Sequence, residues 1–186
     1  ANRAITQEEI DSVLDRLEPG TWILLQNEIN EIPYLMREAK ARGFRIAINP
    51  APCGPEVAEY PLELADVLFV NEVEAAQLSG LNGRTDEILD VLVKRFPESE
   101  IIMTLGGDGA AYAKGAKRFR VASPEVAVVD TTSAGDTFSG YYIAAKLRKY
   151  TPERAMETAA LAGSIAVSRA GAAVSIPKAD EVFRGI

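Results

Sequence analysis

The chain has 186 residues, a formal net charge of −7, 47% hydrophobic and 25% charged residues. That is the length and balance of a globular chain able to bury a core, not of a disordered one. The acidic excess and the lack of a basic, aromatic-interleaved patch exclude a nucleic-acid surface, and no apolar run reaches the length of a membrane span.

Taken in order, Thr6-Gln7-Glu8-Glu9 fits a capping box. Ile10, Val13, Leu14 and Leu17 follow at helical spacing until Pro19-Gly20. The apolar run at 22–25 reads as a buried strand ending in Gln26-Asn27-Glu28. Pro33 begins a second helix closed by Gly43, and 44–48 is the next strand, delivering Asn49-Pro50-Ala51-Pro52. A third strand at 67–70 leads through Asn71-Glu72-Val73-Glu74 into a helix. A helix at 85–96 precedes a strand at 101–104. Gly106, Gly107 and Gly109, then short alternating runs around Ala111-Tyr112-Ala113 and Phe119-Arg120-Val121, predict a hairpin. The run at 126–129 reads as a buried strand, and 141–149 as a helix. Thr151-Pro152-Glu153 caps a long helix reaching about 168 and stopped by Gly171, and a short last helix starts near Lys178.

Strands alternating with helices predict an α/β fold, a mostly parallel sheet with helices on both faces. By length, 1–186 is one domain. Polar residues cluster just after the strands: Glu28, Asn49, Asn71 with Glu74, Thr104, and 130–136. Ligands of open α/β sheets bind at those strand ends. With no histidine in the chain, acid–base work falls mainly to carboxylates, with lysine, tyrosine or the thiol behind them. The single cysteine, Cys53, excludes an internal disulfide, reads as a thiol without a role, and leaves a cytoplasmic protein as the expectation.

The stretch Asp130-Thr131-Thr132-Ser133-Ala134-Gly135-Asp136-Thr137-Phe138-Ser139-Gly140 sets two carboxylates around a small, glycine-bearing turn at a strand-to-helix junction. Unpaired N–H groups and the helix dipole make such a turn an anion site. Asp136, in the first helical turn, is positioned to remain ionised and accept a proton. An Asp that merely caps a turn or starts a helix explains the same residues equally well from physics alone.

This stretch resembles the C-terminal signature of the ribokinase family, the phosphofructokinase-B type of carbohydrate kinases, usually D-T-T-G-A-G-D-x-F. Ser133 departs from it, standing where the family usually has Gly or Ala. The resemblance implies a ribokinase-like phosphotransferase that moves a phosphoryl group from ATP to a pentose hydroxymethyl. It casts Asp136 as base and Ser133, Ala134 and Gly135 as the anion hole, with Asp136 also facing the sugar. Asn71 and Glu74 resemble the family's N-x-x-E, which implies a place near the phosphates and Mg2+; a solvated helix start is the plainer reading. Thr104-Leu105-Gly106-Gly107-Asp108-Gly109 is similar to its T-L-G-x-x-G nucleotide segment, implicating Thr104, Gly106 and Gly109; an ordinary turn would use the same glycines.

The segment at 165–175 resembles A-V-T-R-x-G-A. By position it implicates Asp130, Thr132, Ala166, Arg169, Gly171 and Ser175 in holding a monovalent cation such as K+. A small-residue helix end stopped by glycine is equally consistent. Ala160 falls where relatives can carry an adenine-contacting Asn. Glu28 stands where ribokinases bind the sugar, and Asn49-Pro50-Ala51-Pro52 matches their next strand end. Lys114, Lys117, Arg118 and Arg120 read as charges guarding a sheet edge.

The resemblance covers only the C-terminal part of the family's fold, without its N-terminal strands and small β lid. A chain beginning Ala1-Asn2 is therefore expected to be a nucleotide-binding and catalytic portion, inactive alone, that self-associates or binds the missing portion. Other acceptors (deoxyribose, fructose, a nucleoside) and a non-catalytic nucleotide-binding module stay open.

Overall fold

A computed structural model describes residues 3–183. Its one sheet has six strands, β1 Trp22–Gln26, β2 Arg45–Asn49, β3 Val67–Asn71, β4 Glu100–Thr104, β5 Ala110–Lys114 and β6 Lys117–Val121, lying in chain order. β1 pairs with β2 in parallel from Trp22 opposite Arg45 to Gln26 opposite Asn49, and β2 pairs in parallel with β3. The links 105–109 and 115–116 are too short for a parallel crossover, so β4–β5 and β5–β6 are antiparallel. The helices are α1 Gln7–Leu14, α2 Ile32–Ala41, α3 Glu72–Ser79, α4 Thr85–Arg95, α5 Ala134–Leu147, α6 Pro152–Val167 and α7 Ala179–Phe183. This is the mostly parallel α/β arrangement expected from the alternation of elements. Among the described residues no helix is long and apolar enough to cross a membrane.

The chain divides into two compact units, one running to Met103 with Tyr112–Arg118, the other made of Thr104–Ala111 with the residues from Phe119 onward. In the first, Ile46, Ala47, Ile48, Val67, Leu68, Phe69, Ile101 and Ile102 are buried along successive strand positions, the pattern of strands covered on both faces. Ile32, Met36, Leu89 and Leu92 of α2 and α4 are buried too. Each such large side chain contributes about 1.5–3 kcal/mol relative to exposure. The capping box of α1 is present: Thr6 Oγ1 accepts the Glu9 N–H and Glu9 Oε2 accepts the Thr6 N–H. The helix is shorter than its spacing predicts. It ends at Leu14, because Arg16 N–H turns to Val13 O and Leu17 N–H to Leu14 O, which tightens the last turn. Only Ile10 and Leu14 of α1 are buried, and Val13 is 53% exposed.

In the second unit α5 packs on α6, with Phe138, Tyr142 and Ala145 buried on one helix and Ala155, Ala159, Ala162 and Ala166 on the other. α6 starts as expected, with Thr151 Oγ1 accepting the Arg154 N–H and Pro152 in the first turn.

The run at 126–129 is not a buried strand. Residues 122–128 have no regular structure, and Val128 and Val129 are 65% and 60% exposed. The sheet ends at β6, so the run has no ladder to join. Pro124 lacks a donor, and the Val129 and Asp130 N–H groups both turn to the Val167 carbonyl, at 2.8 and 3.2 Å.

Candidate active site

α5 begins inside the glycine-bearing turn rather than after it. Its N-cap, Ser133, is left-handed, with φ 62° and ψ 12°. This explains why glycine suits that position: a Cβ there crowds the backbone. The Thr132 N–H is taken by Asp130 Oδ1 at 2.9 Å, and the Ala134 N–H reaches Thr131 O at 3.3 Å. Among the described residues no recorded hydrogen bond uses the N–H groups of Ser133 and Gly135, so these two keep the donor capacity of a helix start. The Ala134 amide is thus already engaged within the turn.

One cavity lies at this helix start and a second runs along the helix from Asp136. One, of about 590 Å3, is lined by Ala134 and Gly135, by Thr104, Gly106, Gly107 and Gly109, and by Val126, Val128, Ala160 and Ser164 among others. The other, of about 340 Å3, is lined by Asp136, Thr137, Gly140 and Tyr141 of α5, by Arg148 just after it, and by Ile176, Ala179 and Phe183. Thr137 Oγ1 is buried and without a hydrogen-bond partner. The turn 104–109 is built by glycine where only glycine fits. Gly109 has φ 91°, and a Cβ on it would fall 2.0 Å from the Val121 carbonyl oxygen. Leu105 N–H closes the loop on Gly109 O at 2.8 Å.

The residues at 130, 132, 166, 169 and 171 come together. The Asp130 carboxylate accepts Thr132 N–H through Oδ1 and Gly171 N–H through Oδ2, while Ala166 O accepts Arg169 N–H. Hydrogen bonds from Thr132, side chain first and then backbone, and from Gly171 hold the Asp130 carboxyl below its ordinary value. Ser175 is buried, with its hydroxyl donating to Ala172 O. Arg169 turns its guanidinium to Glu181 of α7.

In the first unit, Asn71 is the N-cap of α3 and Glu74 completes a capping box. Asn71 Oδ1 accepts the Glu74 N–H, and the Glu74 carboxylate accepts from both the N–H and the Nδ2 of Asn71. A solvated helix start describes Glu72 and Val73, which are exposed, but not Glu74, which is buried. Burial pushes the Glu74 carboxyl upward against the opposing bonds from Asn71. Glu28 is exposed in the turn after β1.

Its neighbour Asn27 was not singled out by the sequence pattern, yet it is buried and fully bonded. Its Nδ2 donates to Pro52 O and Glu56 Oε1, its Oδ1 accepts from Tyr60, and its N–H goes to Ala51 O. Asn27 thereby fastens the turn bearing Glu28 to the loop after β2. A polar residue closing an apolar run was the signal for it. Ser123 and Ser164 were missed likewise, and both line the larger cavity, their hydroxyl oxygens 3.0 Å apart.

Residues 33–179 match the pfkB family carbohydrate kinase. The chain is 32% identical over 194 residues to a bifunctional ribokinase/ribose-5-phosphate isomerase A of Fructilactobacillus sanfranciscensis, covering all of this chain and 35% of that protein. It is 30% identical to a ribokinase of Staphylococcus aureus, covering 98% of this chain and 62% of that one. Among solved structures, a ribokinase from Thermotoga maritima superposes with a TM-score of 0.88 at 29% identity, over 99% of this chain and 62% of the other. Arabidopsis thaliana ribokinase complexed with ribose and ATP gives 0.82 at 25% identity, over 99% and 60%. The chain thus spans about three fifths or less of the length of these relatives. The signature turn, the glycine turn at 104–109 and the match across 33–179 converge: the chain belongs to the pfkB family of carbohydrate kinases.

Proposed function

We propose that the intact protein transfers the γ-phosphoryl group of ATP to a hydroxymethyl group of a pentose, and that this chain supplies its nucleotide cavity, anion hole and base. The observation that carries the reading is the placement of the α5 start, with Ala134 and Gly135 lining one cavity and Asp136 lining the other. A nucleotide in the larger cavity and an acceptor hydroxyl at the Asp136 end of the smaller would approach each other at the start of α5. The acceptor oxygen bonds to the γ-phosphorus, the bond from the bridging oxygen to that phosphorus breaks, and ADP leaves. Asp136 takes the hydroxyl proton. The N–H groups of Ser133 and Gly135 hold negative charge that grows on the transferring group. Among the described residues Glu125 is the one charged side chain lining the larger cavity. Glu28, fixed through Asn27, is assigned to the sugar.

Among the described residues no three acidic or cysteine side chains are grouped to cage a metal ion. Asn71 and Glu74, whose side-chain oxygens already accept hydrogen bonds from one another's N–H groups, would hold an Mg2+ chiefly through its waters, with phosphate oxygens as its direct ligands. Bound there, it would neutralise phosphate charge. The oxygen-rich cluster of Asp130, Thr132, Ala166, Arg169, Gly171 and Ser175 suits a monovalent cation of the potassium kind, which would stiffen the turn that carries the anion hole.

The test is Asp136→Asn in the full-length kinase, with ribose and ATP. The amide keeps the shape but cannot take the proton, so kcat should fall by about 10²- to 10⁴-fold with nucleotide affinity little changed. Near-normal turnover would remove Asp136 from the role of base.

A further inference from the structure

The larger cavity is walled mainly by apolar and small groups, including Pro124, Val126, Val128, Phe138, Ala160 and Val167. No amide, lysine or arginine side chain lines it among the described residues, and those are side chains able to grip a base edge through specific hydrogen bonds. Its polar side chains are hydroxyls and the carboxylate of Glu125. Two of the hydroxyls touch each other. Ser123 Oγ lies 3.0 Å from Ser164 Oγ, and Ser164 Oγ is also 2.9 Å from the Ala160 carbonyl oxygen.

A serine hydroxyl carries one hydrogen and turns freely to suit its partners, whereas a carbonyl only accepts. The pair therefore has two arrangements. In one, Ser164 donates to Ala160 O, Ser123 donates to Ser164, and Ser123 offers lone pairs to an incoming donor. In the other, Ser164 donates to Ser123, and Ser123 turns its own hydrogen toward an incoming acceptor. The second gives up one hydrogen bond, that from Ser164 to Ala160 O. One ordinary hydrogen bond changes an equilibrium by about tenfold or less.

On the reading of this cavity as the nucleotide pocket, we propose that the Ser123–Ser164 pair meets both 6-amino and 6-keto purines. The site then takes inosine and guanosine nucleotides nearly as readily as adenosine ones. An apolar pocket rejects a near-isostere weakly, while a site with fixed polar partners rejects the wrong edge by several orders of magnitude. A hydroxyl pair that reverses its direction belongs to the first kind. Adenine and hypoxanthine differ at the 6-position and in the proton at the adjoining ring nitrogen, so ADP and IDP compare the two base edges with the rest of the nucleotide unchanged.

The experiment titrates the 186-residue chain with ADP and with IDP by calorimetry or ligand-observed NMR, in wild type and in Ser123→Ala. The two wild-type dissociation constants should lie within about tenfold, with ADP the tighter. Ser123→Ala should weaken both nucleotides by a similar factor, about tenfold or less. A wild-type preference for ADP above about tenfold would overturn the proposal while leaving the nucleotide pocket standing. A loss confined to ADP, or no loss for either nucleotide, would likewise overturn the role of the pair. Binding of neither nucleotide would overturn this proposal together with the reading it rests on. Even if the variant fails to fold, the wild-type comparison can still overturn the proposal.

Discussion

Asp130 accepts the backbone N–H of Gly171 at 3.1 Å, which ties the turn before α5 to the segment after α6. Its other carboxylate oxygen holds the Thr132 N–H at 2.9 Å. One side chain thus braces the anion-hole turn against the proposed cation ligands. Potassium should raise the melting temperature of the chain relative to tetramethylammonium at equal ionic strength, and Asp130→Asn should abolish the difference. Identical melting curves in the two salts would remove the cation assignment. In the full-length kinase the same titration should raise turnover.

The left-handed Ser133 is a strained position for a residue with a Cβ. Ser133→Gly should stabilise the chain by about 1 kcal/mol. For a domain of this size that raises the melting temperature by about 2–4 °C. A β-branched residue there should lower it by more. A glycine variant that melts below wild type would mean that the serine side chain makes a contact worth more than the strain.

Acid should loosen the C-terminal segment late. The Arg169 guanidinium, helped by the Lys178 N–H, holds the Glu181 carboxyl down to about 2. A carboxyl lowered on folding contributes stability that is complete above its ordinary value, near 4.3. That contribution is lost as pH falls through the folded value, near 2. NMR titration of the Glu181 carboxyl should give that low midpoint, and Arg169→Gln should return it toward the ordinary range. A wild-type midpoint near 4 would show that the ion pair does not persist in solution.

Much of the fold could be read from the sequence because apolar runs and their punctuation coincide. Thr6 with Glu9, Pro33, and Thr151 with Pro152 mark helix starts that the structure contains. The valines at 126–129 misled for a physical reason. β-branched composition suits a strand, but a strand also needs a neighbour with free hydrogen bonds, and composition does not report one. Asn27 and the Ser123–Ser164 pair were illegible for a related reason. Their partners lie far along the chain, at Pro52, Glu56 and Tyr60 in one case and across 41 residues in the other. The N-x-x-E spacing was visible and is that of the capping box Asn71 and Glu74 form, whereas the burial of Glu74 depends on packing.

The chain by itself should not remain monomeric. β1 is an outer strand of the sheet, and its Leu24 is 45% exposed. An apolar, unpaired strand edge invites association. Light scattering on the 186-residue chain should give a mass above that of a monomer, and Leu24→Lys should reduce it. Ribose-dependent ADP release by this chain should be absent: it spans about three fifths or less of its relatives' length, and phosphoryl transfer needs the hydroxyl held close to the phosphorus. A soluble monomer with sustained ribose-dependent turnover would sink both expectations.

The two outer strands are chemically unlike. β6 reads Lys-Arg-Phe-Arg-Val, with its basic side chains at the surface, while β1 reads Trp-Ile-Leu-Leu-Gln. Charges along β6 discourage any further strand, whereas β1 is an apolar outer strand. The sheet is therefore directional as a building block. A synthetic strand meant to lengthen it, or a reporter fragment meant to assemble with it, has one place to attach, and should be designed against the register of Trp22–Gln26.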